Sequence, residues 1–208
     1  MYTPTAFLDD DLPSLHSLIR QTRLGILVSY GEQGLIVSHI PLLLAEEGEY
    51  GTLSGHVAKA NSHCQALTAG APTMVIFQGA DAYVSPSFYP AKAEHGKVVP
   101  TWNYVAVHAH GTPQVFTEAE PLLELVRQLT DRHEAGRSEP WAVSDAPADY
   151  IDGMLKAIVG FRLPIERLQG KRKLSQNRSP ADIAGVREGL AASSDLQDQA
   201  LSHLMQSL

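Results

Sequence analysis

The spacing of the β-rich runs constrains this chain more than any other feature. Residues 24–30, 35–44 and 51–57 are apolar and β-prone, and only short polar turns separate them: Gly31-Glu32-Gln33-Gly34, then Glu46-Glu47-Gly48-Glu49. Turns that short join antiparallel strands, because a parallel crossover needs about a dozen residues or more. Further β runs are expected at 73–78, 83–85, 98–109 and 159–168. Helical spacing is found at 12–22, 59–67 and 147–158, and behind Thr117-Glu118-Ala119-Glu120, where Leu122, Leu123, Val126 and Leu129 recur. Thr117 and Glu120 have the spacing of a capping box, and Ser179-Pro180 that of an N-cap followed by a first-turn proline. Two helices are expected in the tail, 181–192 and 196–208, broken near Ser193-Ser194. Strands do not alternate with helices, so a doubly wound parallel sheet is excluded in favour of an α+β fold with six or seven antiparallel strands.

Composition narrows the function. The 208 residues carry 16 Lys plus Arg against 23 Asp plus Glu, a net charge of −7, which argues against broad attraction to nucleic acid. The charge is uneven, however. Residues 156–178 hold seven basic side chains and one acid, Glu166, so this stretch is +6 and the remainder −13. Cys64 is the single cysteine, which excludes an internal disulfide. No apolar run reaches the ~20 residues of a membrane helix, and the start shows no secretory pattern, so a cytoplasmic protein is expected.

Phosphate-loop, dinucleotide-fingerprint and paired-cysteine motifs are absent. His108 and His110 share one face of an expected strand, but no third ligand lies close in sequence, so no metal site is expected. His39 and His56 fall late in expected strands, where they could line a pocket or serve the core. Gly55-His56-Val57-Ala58-Lys59-Ala60-Asn61 reads as a strand end followed by a helix opened by a lysine, a pattern that could offer a cation and free N–H groups to a phosphate. Residues 83–111 gather Tyr83, Phe88, Tyr89, Trp102 and Tyr104 among stiff prolines. Such a stretch suits a flat conjugated ligand, or a loop stacking on its own sheet or on a second subunit.

Ser38-His39-Ile40-Pro41, the GHVAKAN segment, the block from Tyr83 to Gly111, His133-Glu134-Ala135-Gly136, Glu139-Pro140-Trp141 and the GKRKLSQNR segment at 170–178 together resemble the PaiB family of FMN-binding negative transcriptional regulators. The resemblance runs from Met1 to about Leu190. It implies an antiparallel FMN-binding split barrel over residues 1–178, a helical extension over 179–208, and a homodimer with FMN in clefts at the subunit interface. It also implies site residues. Ser38, His39, Ile40 and Pro41 would follow the flavin ring edge. Gly55, His56, Lys59 and Asn61 would lie near the ribityl phosphate, with Lys59 as main countercharge. Gln78 and Gly79 would meet the pyrimidine side, Trp102 and Asn103 would close the cleft, and the basic stretch ending in Lys171, Lys173 and Arg178 would form a second phosphate- or ligand-facing group.

The regulator role must face the charge of the tail. The second tail helix has no Lys or Arg, and Asp195 and Asp198 make its start acidic, so direct operator binding is weakly supported. That helix is expected to pack through Leu196, Leu201, Leu204 and Met205. A flavin-binding regulator and an FMN-dependent oxidoreductase of the flavin-reductase or pyridoxamine-phosphate-oxidase type both fit the sequence, with haem binding a third reading.

Overall fold

The computed structural model describes residues 1–32 and 34–207, apart from the Ser207 side chain. Gln33 of the expected 31–34 turn and Leu208 at the end of the expected tail helix lie outside the described residues. Ten strands and seven α-helices are found among the described residues, and the chain divides into two compact units. Unit one comprises 1–18, 78–107 and 169–208; unit two comprises 19–77 and 108–168. No described helix is long and apolar enough to cross a membrane.

Unit two is built on hairpins. β2 (Gly25–Gly31) pairs antiparallel with β3 (Gly34–Ile40), from Gly25 opposite Ile40 to Gly31 opposite Gly34. Gly34 has φ of 106°, a value an L side chain rarely adopts, which is why glycine closes this tight turn. The run expected to continue from 35 to 44 stops at Pro41, which has no N–H for the ladder, and resumes as β4 (Leu43–Ala45). β2 also pairs with the first residues of β6 (Thr73–Val84), Ile26 facing Ile76. A second sheet has the order β4, β5 (Thr52–Ala58), β9 (Ile158–Pro164), β8 (Gln114–Phe116), with each neighbouring pair antiparallel.

Two expectations in this unit are corrected. The single strand expected over 159–168 is interrupted after Pro164, where Ile165 and Glu166 turn their N–H groups to the Gly51 and His110 carbonyls before β10 (Arg167–Lys173) begins. The capping box at Thr117 does not form. α4 (Ala119–Glu134) starts later, Glu118 is its N-cap residue, and the Glu118 carboxylate accepts the Thr117 N–H at 2.9 Å. α4 buries Leu122, Leu125 and Leu129. It packs so closely that a Cβ at Gly160 of β9 would lie 3.0 Å from Leu122 and 2.4 Å from Phe116. Leu53, Phe161 and Leu163 are fully buried beside Phe77 and Leu67 at 1%, as fits a core whose strands present alternate residues inward.

In unit one the strand order is β1 (Leu8–Asp9), β10, β7 (Thr101–Gly111), β6, with Leu8 opposite Lys171 and Asp9 opposite Gly170. The two runs expected at 73–78 and 83–85 are one strand, β6, continuous through Gly79-Ala80-Asp81. The expected N-cap at Ser179 is present: its hydroxyl accepts the Asp182 N–H and Pro180 opens α6 (Pro180–Ala191). α7 (Leu196–Leu204) follows. Val186, Leu190, Leu201 and Met205 pack with Ala82, Val84, Tyr89, Val105 and Leu174 in one core. Leu196 does not join them. It is 77% exposed, because it sits on the first turn of α7 and off the stripe that carries Leu201.

Candidate functional site

The expected site residues fall into two groups, one in each unit. In unit two, Ser38, His39 and Ile40 occupy the end of β3, with Ser38 half-buried, His39 exposed and Ile40 buried. Pro41 follows, and its carbonyl lies 3.3 Å from where a Cβ on Gly55 would stand, so the end of β3 and the middle of β5 approach closely. His56 sits on β5 opposite Gly160. Its Nδ1 is buried with no hydrogen-bond partner among the described residues, and burial pushes its pKa below the ordinary imidazole value, which favours the neutral ring.

The helix expected over 59–67 begins later than expected. α2 spans His63–Thr68, so Lys59 lies in the preceding turn and not in a first helical turn. The cause is Asn61, whose side-chain Oδ1 accepts the His63 N–H at 2.9 Å and forms an Asx turn that postpones the helix. Lys59 therefore does not open a helix, and no helix N-terminus stands beside it to receive a phosphate. Lys59 is exposed, and its backbone N–H donates to the Ala157 carbonyl.

His63 is the residue that sequence reading missed. It is fully buried, and its two ring nitrogens meet Ser38 Oγ at 2.9 Å and Ser29 Oγ at 3.1 Å. The direction of every bond in this chain can be derived. Thr73 Oγ1 donates to the Ala71 carbonyl at 2.8 Å, since a carbonyl can only accept. With that proton committed, Ser29 must donate to Thr73 at 2.7 Å. Ser29 then accepts from His63, which carries its proton on Nε2. His63 Nδ1 accepts the Ser38 hydroxyl proton, and Ser38 accepts from Asn61 Nδ2 at 3.2 Å. The Asn61 amide is oriented independently by the His63 N–H, so both ends of the chain agree. Burial lowers the His63 pKa, as a neutral ring in this relay requires. Ser38 is left able only to accept one further bond, while Asn61 keeps one N–H to give.

These two imidazoles fix a pH dependence. A ring whose folded pKa lies below its unfolded value takes up its proton more readily in the unfolded chain, so its contribution is complete at high pH and is lost as pH falls through the unfolded value. Protonated His63 would also turn a second donor toward Ser38. Unfolding midpoints in urea are expected to be flat above about pH 7 and to drop below about pH 6.5. Midpoints that hold constant down to about pH 5 would contradict neutral His56 and His63.

In unit one, Gln78 is exposed and reaches Asp81 at 3.4 Å. Gly79 serves packing: a Cβ there would lie 2.4 Å from Val105. Trp102 is 55% exposed and meets the Tyr83 ring edge-on at 5.9 Å. Asn103 is fully buried; its Nδ2 donates to Ser175 Oγ at 2.9 Å, and its Oδ1 has no partner among the described residues. Lys171 is buried against Tyr2 and Tyr104, and Lys173 donates to Thr101 and to the Trp102 carbonyl. Arg178 stacks on Tyr89. His108 and His110 stand 6.3 Å apart, and no group of three metal-ligating side chains occurs among the described residues.

Comparison with known proteins agrees with the resemblance read from the sequence. Residues 1–167 match the family described as "Putative FMN-binding domain". An uncharacterised protein of Aspergillus fumigatus is 36% identical, over 91% of this chain and 90% of its own. Protease synthase and sporulation protein PAI 2 of Bacillus subtilis is 29% identical, over 99% of this chain and 97% of its own. Among solved structures, the FAD and haem binding protein of Mycobacterium smegmatis superposes with a TM-score of 0.61 at 18% identity, covering 85% of this chain and 78% of that one. The flavocytochrome Anf3 of Azotobacter vinelandii gives 0.61 at 15%, covering 86% and 75%. At such identities the likeness is one of fold, the flavin-binding split-barrel type. The match over residues 1–167 and the 36% identity across nine-tenths of a relative show that this chain belongs to the PaiB-like family of FMN-binding domains, whose cofactor is FMN.

Proposed function

We propose that this protein is a flavin-dependent negative regulator of transcription that acts without gripping an operator itself, and that unit two holds the FMN. The donor set in unit two suits that cofactor. His56 Nδ1 is a buried polar atom in want of a partner, Ser38 can accept, Asn61 can donate, and the exposed Lys59 ammonium supplies charge for a phosphate. FMN, when bound, supplies one- or two-electron redox chemistry. The chain's own residues bind and orient it. The His63 relay holds Ser38 and Asn61 in fixed proton states, so neither needs to reorganise on binding.

The observation that carries the indirect mode is the tail. A recognition helix must meet the phosphates with basic side chains beside its base-reading groups; α7 exposes the amides Gln197 and Gln199 but has neither Lys nor Arg, begins with Asp195 and Asp198, and spends Leu201 on the core. Gel shifts with promoter DNA are therefore expected to show only weak binding that disappears with added salt. A tight, sequence-specific shift would overturn the indirect mode. The second reading, an FMN-dependent oxidoreductase, is favoured by the cationic and aromatic face of unit one, where a further ligand could sit. Bleaching of bound flavin by NADH or NADPH would favour it, and a Soret band would favour haem.

A homodimer belongs to the same proposal. β3 is an edge strand with Leu35 73% and Val37 54% exposed, beside Tyr30 at 71%, an apolar strip that a second copy could cover. For the cofactor, Lys59→Ala is expected to weaken FMN binding by about ten-fold, the value of one charge-assisted contact to phosphate. Unchanged affinity in an equilibrium titration would remove Lys59 from the site.

A further inference from the structure

α4 buries Leu122, Leu125 and Leu129, and the next position on that stripe is Arg132. A guanidinium can follow three leucines inward only if its donors find acceptors there. They do: Nη1 donates to the Leu42 carbonyl at 3.0 Å, and Nη2 donates to the Arg20 carbonyl. Arg132 is half-buried and has no carboxylate partner among the described residues, so both contacts are to main chain. A guanidinium presents several donors in one fixed plane and can join two carbonyls at once, whereas an ammonium is a point charge on a flexible stem.

Both carbonyls need such a partner. Leu42 stands in the break that Pro41 makes between β3 and β4, outside either ladder. Arg20 lies in the last turn of α1 (Leu12–Gln21), where carbonyls run out of partners within the helix and the dipole favours a cation.

Leu42 in turn fixes what precedes it. It is 6% exposed, and its Cδ2 stands 2.7 Å from where a Cβ on Gly55 would be, its Cδ1 2.8 Å from where one on Gly25 would be. The side chain therefore fills space that only glycine leaves open on β5 and β2, beside the Pro41 carbonyl that closes on the same Gly55. The segment from Ser38 to Pro41 thus lies between two fixed points. The His63 relay holds Ser38, and Arg132 holds Leu42, just beyond the last ladder pair of Gly25 with Ile40. Without the second point, Pro41 would leave the ladder unsupported.

We infer that Arg132 is a positioning residue of the flavin site: by joining the Leu42 and Arg20 carbonyls it fixes the backbone of Ile40 and Pro41 at the edge of the ring. The inference rests on the reading that FMN occupies unit two. Arg132 touches no cofactor itself and acts through Leu42.

The test compares full-length wild type with Arg132→Met, Arg132→Lys and His63→Phe. Arg132→Met keeps the apolar stem and loses every donor, and is expected to weaken FMN binding by at least about ten-fold. At saturating FMN, the visible circular dichroism of its bound flavin should differ from that of wild type, a change that mere loss of stability would not produce. Arg132→Lys keeps a cation at the end of α1 but cannot span both carbonyls. It should recover most of the wild-type unfolding midpoint in urea yet stay at least about five-fold weaker for FMN, and it carries the test if Arg132→Met does not fold. In the FMN-free protein, amide hydrogen exchange over residues 40–45 should be faster in both Arg132 variants. Wild-type affinity and flavin dichroism in the Arg132 variants, with FMN binding lost in His63→Phe, would overturn the role of Arg132 and leave the unit-two site standing. Full recovery of FMN affinity by Arg132→Lys would overturn it too, since charge alone would then suffice. If His63→Phe also binds as wild type does, the unit-two site itself falls, and the role of Arg132 with it.

Discussion

Replacing His63 with Phe is expected to cost about 3 kcal/mol of folding stability and to weaken FMN binding by at least about ten-fold. The ring shape is kept, so packing of α2 is largely preserved, but both nitrogens are lost. Ser29, 2% exposed, then loses the donor it accepts from, and the Ser38 hydroxyl loses its acceptor. Each buried polar group left without a partner costs about 1–3 kcal/mol. Ser38 would also be free to rotate, and the Asn61 amide would donate to a hydroxyl with no fixed orientation. His63→Gln restores one nitrogen donor and should fall between wild type and His63→Phe in both measurements. Chemical denaturation gives the first quantity and flavin-fluorescence titration the second. Wild-type FMN affinity in His63→Phe would contradict a flavin site held by the relay.

The second large effect lies in the tail. Leu201→Ala is expected to destabilise unit one by about 3 kcal/mol, within the range for truncating a fully buried leucine. Leu201 has no solvent exposure and packs with Val84, Val105 and Leu174. Val84 and Val105 lie on the strands that also carry Tyr83, Trp102 and Tyr104, and Leu174 directly follows Lys173, so loss of packing should reach the aromatic face. Leu196→Ala, at a site 77% exposed on the same helix, should change stability by no more than about 0.5 kcal/mol. Amide hydrogen exchange makes the contrast local: Leu201→Ala should speed exchange at Val84 and Val105, and Leu196→Ala should not. Equal effects of the two substitutions would mean that α7 does not contribute to the core.

Much of this architecture was legible in the sequence, and the failures have physical causes. The β2–β3 hairpin could be read because Gly31 and Gly34 bracket a turn between two alternating runs. The Ser179 cap could be read because capping is local chemistry. β6 was read as two strands because Gly79-Ala80-Asp81 looks like a break, although Gly79 is there to let Val105 approach to within what a Cβ would occupy. β10 escaped notice because Lys171, Arg172 and Lys173 look like a solvated charge run. In the fold they alternate: Arg172 reaches Ser14, while Lys171 turns to the Tyr104 ring and Lys173 to the Trp102 carbonyl.

The site divided in the same way. Ser38 and Asn61 could be named from the family resemblance, and the structure joins them at 3.2 Å. His63 could not be singled out among nine histidines, because its partners Ser29, Ser38 and Thr73 are scattered along the chain and only strand pairing assembles them. The one local clue was Asn61 two residues before it, an Asx-turn spacing that also explains the late start of α2. Lys171 and Lys173 were expected to face a phosphate or other ligand; that Lys171 is buried with no carboxylate partner among the described residues is a property of the packed unit and not of its sequence neighbourhood.

The account stands on FMN binding through unit two, and one measurement reaches it directly. Purified protein and its His63→Phe variant are dialysed to equilibrium against FMN, and bound flavin is read from the visible spectrum. The account predicts about one FMN per wild-type chain, with the two absorption bands of a bound flavin, and much weaker uptake by the variant. A wild-type protein that stays colourless and retains no FMN, or a variant that retains as much as wild type, would contradict it.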